Sequence, residues 1–212
     1  MEELHKNLRV INGSQVKNTS VLPNKIYQQA LQVISQVSFY CQVKYGTKEG
    51  INRILSILAE YLFLNMGRVI LPSNEDDLLH IRYSHGIPKE RQFVSYTKDQ
   101  GITGLIYSTG QAIYADDLDT NAMYLGKIVS SDSLPYFDPA ISGVPILDSN
   151  DRVIGILCVN HGFRDASELK SIFSTLESSA ALISQLLTKP EGVPASNGRV
   201  LQFESNPVKS ND

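Results

Sequence analysis

Residues 101–118, GITGLIYSTGQAIYADDL, constrain the fold more than any other stretch of this 212-residue chain. Gly101 and Gly104 permit a tight backbone turn, and the isoleucines and leucine around them form one apolar face of a short helix. Gly110 is the expected end of that helix, because glycine adopts the left-handed conformation of a helix terminus at low cost. Residues 111–115 follow as a predicted edge strand. The segment therefore predicts a helix leading into a sheet, and it holds no set of catalytic residues.

The composition predicts one globular domain with polar ends. Apolar residues make up 42% of the chain and charged residues 19%, which is an ordinary globular balance. The net charge is −3 without a lysine or arginine cluster, so direct binding to nucleic acid is not expected. No apolar run approaches the length of a bilayer span, and the polar start is unlike a signal peptide, so the predicted location is cytoplasmic. We predict a flexible leader over 1–23, a domain over 24–188 and a flexible tail over 189–212.

A helical pattern at the start of the domain has apolar residues at alternating spacings of four and three, as in a coiled coil. These residues are Ile26, Ala30, Val33, Val37 and Tyr40. We predict that they form a homodimer interface with the final helix beside them. The alternative is that they pair this helix with another helix of the same chain.

The remaining pattern predicts a sheet covered on both faces. Strands are expected at 68–71, 78–83, 93–96, 111–115, 140–147 and 153–161, with Leu79, Ile81 and Tyr83 on one face. The nearly unbroken apolar run 153–159 indicates a central strand that is buried on both sides. We predict an α+β fold with a roughly six-stranded antiparallel sheet and long N- and C-terminal helices. The helices at 47–65 and 165–187 cover one face, and the helix at 101–110 with the long loop 116–139 covers the other.

Three blocks of the sequence resemble the GAF domain family, whose members are small-molecule-sensing and dimerising modules. The first block matches the family signature at Gly101, Ile102, Gly104, Thr109, Gly110 and Asp116. The second comprises residues 142–146 with 155–159, and the third comprises residues 163–169. The resemblance covers 24–188 and implies the GAF-like antiparallel sheet.

Within the family, the chain is most similar to the N-terminal sensor domains of nitrogen-fixation and other sigma-54-dependent transcriptional activators. That similarity depends on Tyr124, Leu125 and Lys127, which follow the signature strand. Such activators continue into an ATPase domain and a helix-turn-helix, and neither is found in this sequence. We therefore expect a regulatory module without an output domain of its own.

The sequence favours a non-enzymatic protein and assigns no cofactor. It has no nucleophile elbow and no phosphate-binding loop, and Cys41 and Cys158 are expected to be buried thiols. Family members that reduce methionine sulfoxide or carry a bilin need cysteines that this chain lacks at those places. No metal site is expected: the calcium-loop-like start at Asp117 lacks the later ligands, and His80 and His85 point to opposite faces of a strand.

A pocket is predicted under the loop 116–139. The predicted ligand-binding residues are Tyr83, Thr103, Asp116, Tyr124, Phe137 and Ser142. A compact metabolite with a few polar anchors would fit such a site, although the same aromatic residues could instead only seal the core. Two hypotheses follow: a sensor that signals to a separately encoded regulatory protein, and a ligand-free dimerisation or adaptor module.

Overall fold

An antiparallel sheet runs through the computed structural model, which describes residues 8–10, 25–44, 46–116, 118, 121–128, 140–162 and 166–188. The strands are β1 (Leu8–Val10), β2 (Met66–Pro72), β3 (Leu79–His85), β4 (Ser95–Tyr96), β5 (Ile113–Ala115), β6 (Ala140–Leu147) and β7 (Val153–His161). The helices are α1 (Lys25–Lys44), α2 (Thr47–Leu62), α3 (Gly101–Thr109) and α4 (Ala166–Thr188), and Lys89–Arg91 form a 3-10 turn. Within these residues the sheet has seven strands in the order β1-β5-β6-β7-β2-β3-β4.

Each face of the sheet carries its own hydrophobic cluster, as predicted. On one face α2 and α4 pack on side chains such as Val69, Val144 and Leu157. On the other face α3 packs on Ile70 and Ile156. The central strand β7 is buried from Gly155 to its end, because neighbours in sequence contact opposite clusters. The predicted α+β architecture is thereby confirmed.

Two details at the sheet edge differ from the sequence prediction. Leu8–Val10 pair with Ile113–Ala115, so β1 is a strand inside the stretch that was predicted to be a loose leader. Consequently β5 is not an edge strand, since it lies between β1 and β6. The physical reason is that an otherwise open edge of backbone donors and acceptors is satisfied by a short segment from far away in the chain.

A register shift in β3 changes which face one predicted site residue occupies. Val69 pairs with Tyr83, but the next residue of β2, Ile70, pairs with Ile81, so Arg82 is an extra residue in β3. Leu79 and Ile81 therefore contact the α3 side, whereas Tyr83 packs on the α2 side. The prediction that Leu79, Ile81 and Tyr83 share one face was wrong.

The predicted dimer residues of α1 contact the chain's own core where the structure describes them. Ala30 is fully buried, and Val33 and Val37 pack against the cluster formed with α2 and α4. The side chains of Ile26 and Tyr40 lie outside the described part. Among the α1 side chains that the structure describes, the exposed ones are Gln28, Gln29, Gln32, Ser35, Gln36 and Phe39. The described part of this apolar stripe thus forms an intramolecular helix contact.

The α3 helix begins and ends at glycines with positive φ. Gly101 has φ 68°, and Gly110 has φ 65° and donates its amide to the Ile106 carbonyl at 2.9 Å. The predicted glycine stop is therefore correct. Among the described helices, none has the length and apolarity that crossing a lipid bilayer requires.

Candidate functional site

A small cavity lies between the sheet and the segment 121–128, which we call the flap. Its volume is about 20 Å³, which is space for about one water molecule. The lining residues are Arg68, Tyr96, Ile102, Thr103, Met123, Tyr124, Leu125, Gly126, Lys127, Ile128, Ile141 and Asn160. Strands β2, β6 and β7 supply the floor, and α3 and the flap supply the cover.

Arg68 is the most unusual member of the cavity. It lies in the interior of β2 and is only 3% exposed. Its Nη1 donates to Oδ1 of Asn160, which is 2% exposed on β7, at 2.8 Å. The guanidinium also hydrogen-bonds with the Tyr96 hydroxyl, but its Nε has no hydrogen-bond partner among the described residues. Buried charges in proteins are normally paired, and within the described part of the chain no carboxylate forms an ion pair with Arg68.

The positive charge of Arg68 acts on two neighbouring acidic groups. Burial raises the pKa of the Tyr96 hydroxyl, and the Arg68 guanidinium opposes that shift. Burial likewise raises the pKa of the Cys158 thiol, again against the influence of Arg68. Cys158 is fully buried, so its sulfur is a neutral thiol at neutral pH. Neither group supplies the negative charge that would balance Arg68.

The flap is attached to α3 and to the edge of the sheet. The Ile102 amide donates to the Met123 carbonyl at 3.2 Å, and the Lys127 Nζ donates to the Ser95 carbonyl at 2.7 Å. Lys127 also lies over the Tyr96 ring, with its Nζ 5.2 Å from the ring centroid. These contacts hold the flap over the cavity in this conformation.

Gly101 is required where the flap meets α3. A Cβ at this position would lie 2.9 Å from Cγ of Leu125 and 3.2 Å from the Met123 carbonyl oxygen. The positive φ of Gly101 is a second reason for glycine here. This signature glycine therefore permits the close approach of the cavity's cover.

The structure brings two of the six predicted ligand-binding residues into the cavity. Thr103 and Tyr124 line it. Tyr83 packs on the opposite face of the sheet because of the bulge at Arg82. Asp116 directly follows β5 and is not part of the lining. Phe137 lies outside the described residues.

Ser142 lies on the α4 face of the sheet, away from the cavity. Its position in β6 alternates with that of Ile141, which lines the cavity. The Ser142 Oγ is 2.7 Å from Nε2 of His161, and both residues are fully buried. The His161 ring in turn stacks on Tyr114 with centroids 6.0 Å apart. Placing Ser142 in the pocket was therefore wrong, since its neighbours are core residues.

Arg68, Asn160 and Tyr96 were not predicted from the sequence as site residues. The predicted strand began at Arg68, whereas β2 begins two residues earlier at Met66, which places Arg68 in the strand interior. The available signal was a single arginine within the apolar run 66–71, together with an asparagine directly after the apolar run 153–159. Polar side chains in strands buried on both faces indicate an internal polar contact.

Comparison with known protein families agrees with this architecture. The model of the family described as GAF domain matches residues 48–187, which span α2, β2 to β7, α3 and nearly all of α4. The chain belongs to the GAF domain family. The family resemblance seen in the sequence is thus confirmed, and the cavity of this GAF domain is formed within the matched residues.

Two relatives are nitrogen-fixation regulators. The chain is 30% identical over 158 residues to a Nif-specific regulatory protein of Enterobacter agglomerans, covering 71% of this chain and 30% of that protein. It is 23% identical over 142 residues to a Nif-specific regulatory protein of Klebsiella pneumoniae, covering 65% of this chain and 26% of that protein. The chain therefore spans less than a third of the length of either relative.

Solved GAF structures share the fold at low sequence identity. The A. aeolicus nlh2 GAF domain, in an inactive state, has a TM-score of 0.66 and 19% identity, covering 77% of this chain and 98% of that domain. The free methionine-R-sulfoxide reductase of Neisseria meningitidis, in complex with its substrate, has a TM-score of 0.58 and 14% identity. The match covers 81% of this chain and 95% of that chain. At such identities the likeness concerns the fold alone.

Proposed function

We propose that this GAF domain is a small-molecule-sensing regulatory module. The observation that carries the proposal is the cavity around Arg68, where a buried cation without a counter-charge among the described residues lies beside Asn160 and Thr103 beneath the flap. A buried polar group without a partner destabilises a fold, which favours a functional reason for its presence. Ligand sites commonly combine apolar walls with a few polar anchors. Signal output through a separately encoded regulatory protein is part of the same proposal.

Within this proposal the module is regulatory and not catalytic. Its similarity to Nif-specific regulatory proteins supports that role. Against a reductase role, Cys158 is fully buried on the sheet and its pKa is raised by burial, so its sulfur is a poor nucleophile. An activity assay with free methionine sulfoxide tests whether the domain is a reductase, and turnover of this substrate would contradict the proposal.

The small size of the cavity supports a second candidate function. A volume of about 20 Å³ is far below the few hundred Å³ of ordinary ligand pockets. A ligand larger than a water molecule must therefore displace the flap or its side chains. If the flap never opens, the domain is a ligand-free dimerisation or adaptor module.

A thermal-unfolding screen with a matched pair of variants separates the two functions. A ligand that binds only the folded state raises its apparent stability, so wild type should respond to at least one compound in a panel of organic acids, amino acids and nucleotides. Thr103→Met inserts a larger side chain into the cavity and should abolish that response. Thr109→Met makes the same change at an exposed position of the same helix and should retain it. A panel without any response, or a response retained in folded Thr103→Met, would contradict the sensing function.

Homodimerisation remains a prediction, and the packing of α1 decides which variant can test it. Substituting glutamate at Val33 and Val37 would disrupt the packing of α1 on its own core and unfold the helix instead of separating two chains. The informative variant is Phe39→Ser, because Phe39 is 67% exposed on α1. A concentration-dependent dimer that this variant weakens would support an interface at α1, and a monomer at every concentration would exclude it.

A further inference from the structure

We propose that the cavity binds a compact monoanionic carboxylate, anchored by Arg68 and positioned by Asn160. The inference rests on the proposed sensing function and names the chemical class of its ligand. Arg68 is the one buried cation of the described cavity lining, and that lining contains no aspartate or glutamate. A single negative charge would balance it.

The hydrogen bonds of Arg68 leave its Nε–H for the ligand. Nη1 donates to Asn160 at 2.8 Å, the Tyr96 hydroxyl also hydrogen-bonds with the guanidinium, and Nε has no partner among the described residues. The Nε–H can donate to a carboxylate oxygen in a charge-assisted hydrogen bond. Asn160 and Tyr96 hold the guanidinium, so this donor is oriented before a ligand arrives.

The charge count favours a monoanion over a dianion. Lys127, the other cation of the lining, is exposed, and its Nζ already donates to the Ser95 carbonyl at 2.7 Å. A phosphate or dicarboxylate would bring a second negative charge into a site with one buried positive charge, and an unbalanced buried charge is costly. A monocarboxylate and Arg68 would together be neutral.

The walls of the cavity define the rest of the ligand. Ile102, Ile128 and Ile141 supply apolar surface next to the charge, and Thr103 supplies a hydroxyl. The present volume of about 20 Å³ holds about one water molecule, so a short ligand needs the smallest displacement of the flap. We therefore expect a short-chain carboxylic acid and not a nucleotide.

The test compares propionate with its neutral isostere propionamide in thermal unfolding of the whole chain at constant ionic strength. Propionate should raise the unfolding temperature of wild type above that in chloride, and propionamide should not. Succinate and inorganic phosphate should have smaller effects than propionate. An equal effect of propionate and propionamide, or a larger Arg68-dependent effect of phosphate or succinate, would overturn the monocarboxylate assignment.

Two variants show whether the effect acts through Arg68. Asn160→Asp places an internal carboxylate beside the guanidinium, so it should raise the ligand-free unfolding temperature and weaken the apparent propionate affinity by about tenfold or more. Arg68→Met removes the unbalanced charge and should unfold at or above the wild-type temperature without any propionate response. A purely structural arginine would give the opposite result, namely a less stable Arg68→Met and an unchanged propionate response in Asn160→Asp.

The outcomes also separate this inference from the sensing function. If a neutral compound stabilises wild type and Thr109→Met but not Thr103→Met, the domain is a sensor and the monocarboxylate class is wrong. If neither propionate nor any compound of the panel stabilises wild type, both proposals are wrong.

Discussion

The contact between the flap and α3 gives a quantitative prediction, because α3 has a glycine of nearly the same φ at each end. Gly101 and Gly110 have φ 68° and 65°. An alanine at either position must adopt a left-handed conformation, which costs about 1–2 kcal/mol. At Gly110 the new Cβ would meet only Val153 Cγ2, at 3.5 Å, which is ordinary van der Waals contact. Gly110→Ala should therefore lower the free energy of unfolding by about 1–2 kcal/mol.

Gly101→Ala adds the displacement of the flap to the same backbone cost. Its Cβ would lie 2.9 Å from Cγ of Leu125 and 3.2 Å from the Met123 carbonyl oxygen, so both must move. Losing the hydrogen bond from the Ile102 amide to that carbonyl costs about 1 kcal/mol, and repacking Leu125 costs about 1 kcal/mol more. We expect Gly101→Ala to be less stable than Gly110→Ala by about 2 kcal/mol.

Urea unfolding followed by circular dichroism measures the loss of unfolding free energy in each variant. The rate of trypsin cleavage measures the displacement of the flap. The Lys127 Nζ is bonded to the Ser95 carbonyl in the closed conformation, so cleavage after Lys127 should be faster in Gly101→Ala and unchanged in Gly110→Ala. Equal destabilisation of the two variants, or equal cleavage after Lys127, would show that the flap does not depend on the glycine at the start of α3.

Three further predictions concern other parts of the fold. Ser142→Ala removes one hydrogen bond of buried His161 and should lower stability by about 1 kcal/mol in urea, without changing the ligand response of the opposite face; a stability equal to that of wild type would contradict this. Gly86→Ala would place a Cβ 1.8 Å from a backbone carbonyl oxygen at φ 71°; we expect a loss of about 3 kcal/mol or more in thermal unfolding, and a near-wild-type variant would refute it. Hydrogen bonds from Arg152 hold the pKa of Asp148 below its usual value, so its stabilisation is present above the unfolded-state pKa and is lost as pH falls through the folded-state pKa. Asp148→Asn should therefore be less stable than wild type at neutral pH and converge with it in acid, and parallel curves of unfolding free energy against pH would contradict that assignment.

The fold was largely predictable because its strongest signals are local. Gly110 ends a short apolar helix, and the run 153–159 has no polar face to expose, so the helix end and the central strand followed directly. The register shift at Arg82 was not predictable, because one extra residue in a strand leaves the sequence looking regular while it reverses the face of Tyr83. The pairing of β1 with β5 was not predictable either, since it joins residues more than a hundred positions apart in the sequence.

The candidate site was harder to predict than the fold. Thr103 was identified because it lies at the start of the predicted signature helix, and Tyr124 because it is an aromatic residue of the long loop 116–139. Whether Arg68 lies inside β2 or at its start depends on where the strand begins, and composition determines strand boundaries poorly. Its contact with Asn160 joins positions 92 apart in sequence, on two strands that become neighbours only when the sheet forms.

The ends of the sheet limit how copies of this domain could assemble. The strand at one edge, β4, has two residues, and the carbonyl of its first residue, Ser95, is occupied by Lys127. The strand at the other edge, β1, has three residues. Long unpaired edges invite another chain to add a strand, and short edges with a lysine across them oppose it. Adding a strand to β1 or β4 is therefore an unfavourable route of self-association, so copies that meet at these ends of the sheet should do so through other surfaces, such as the helices.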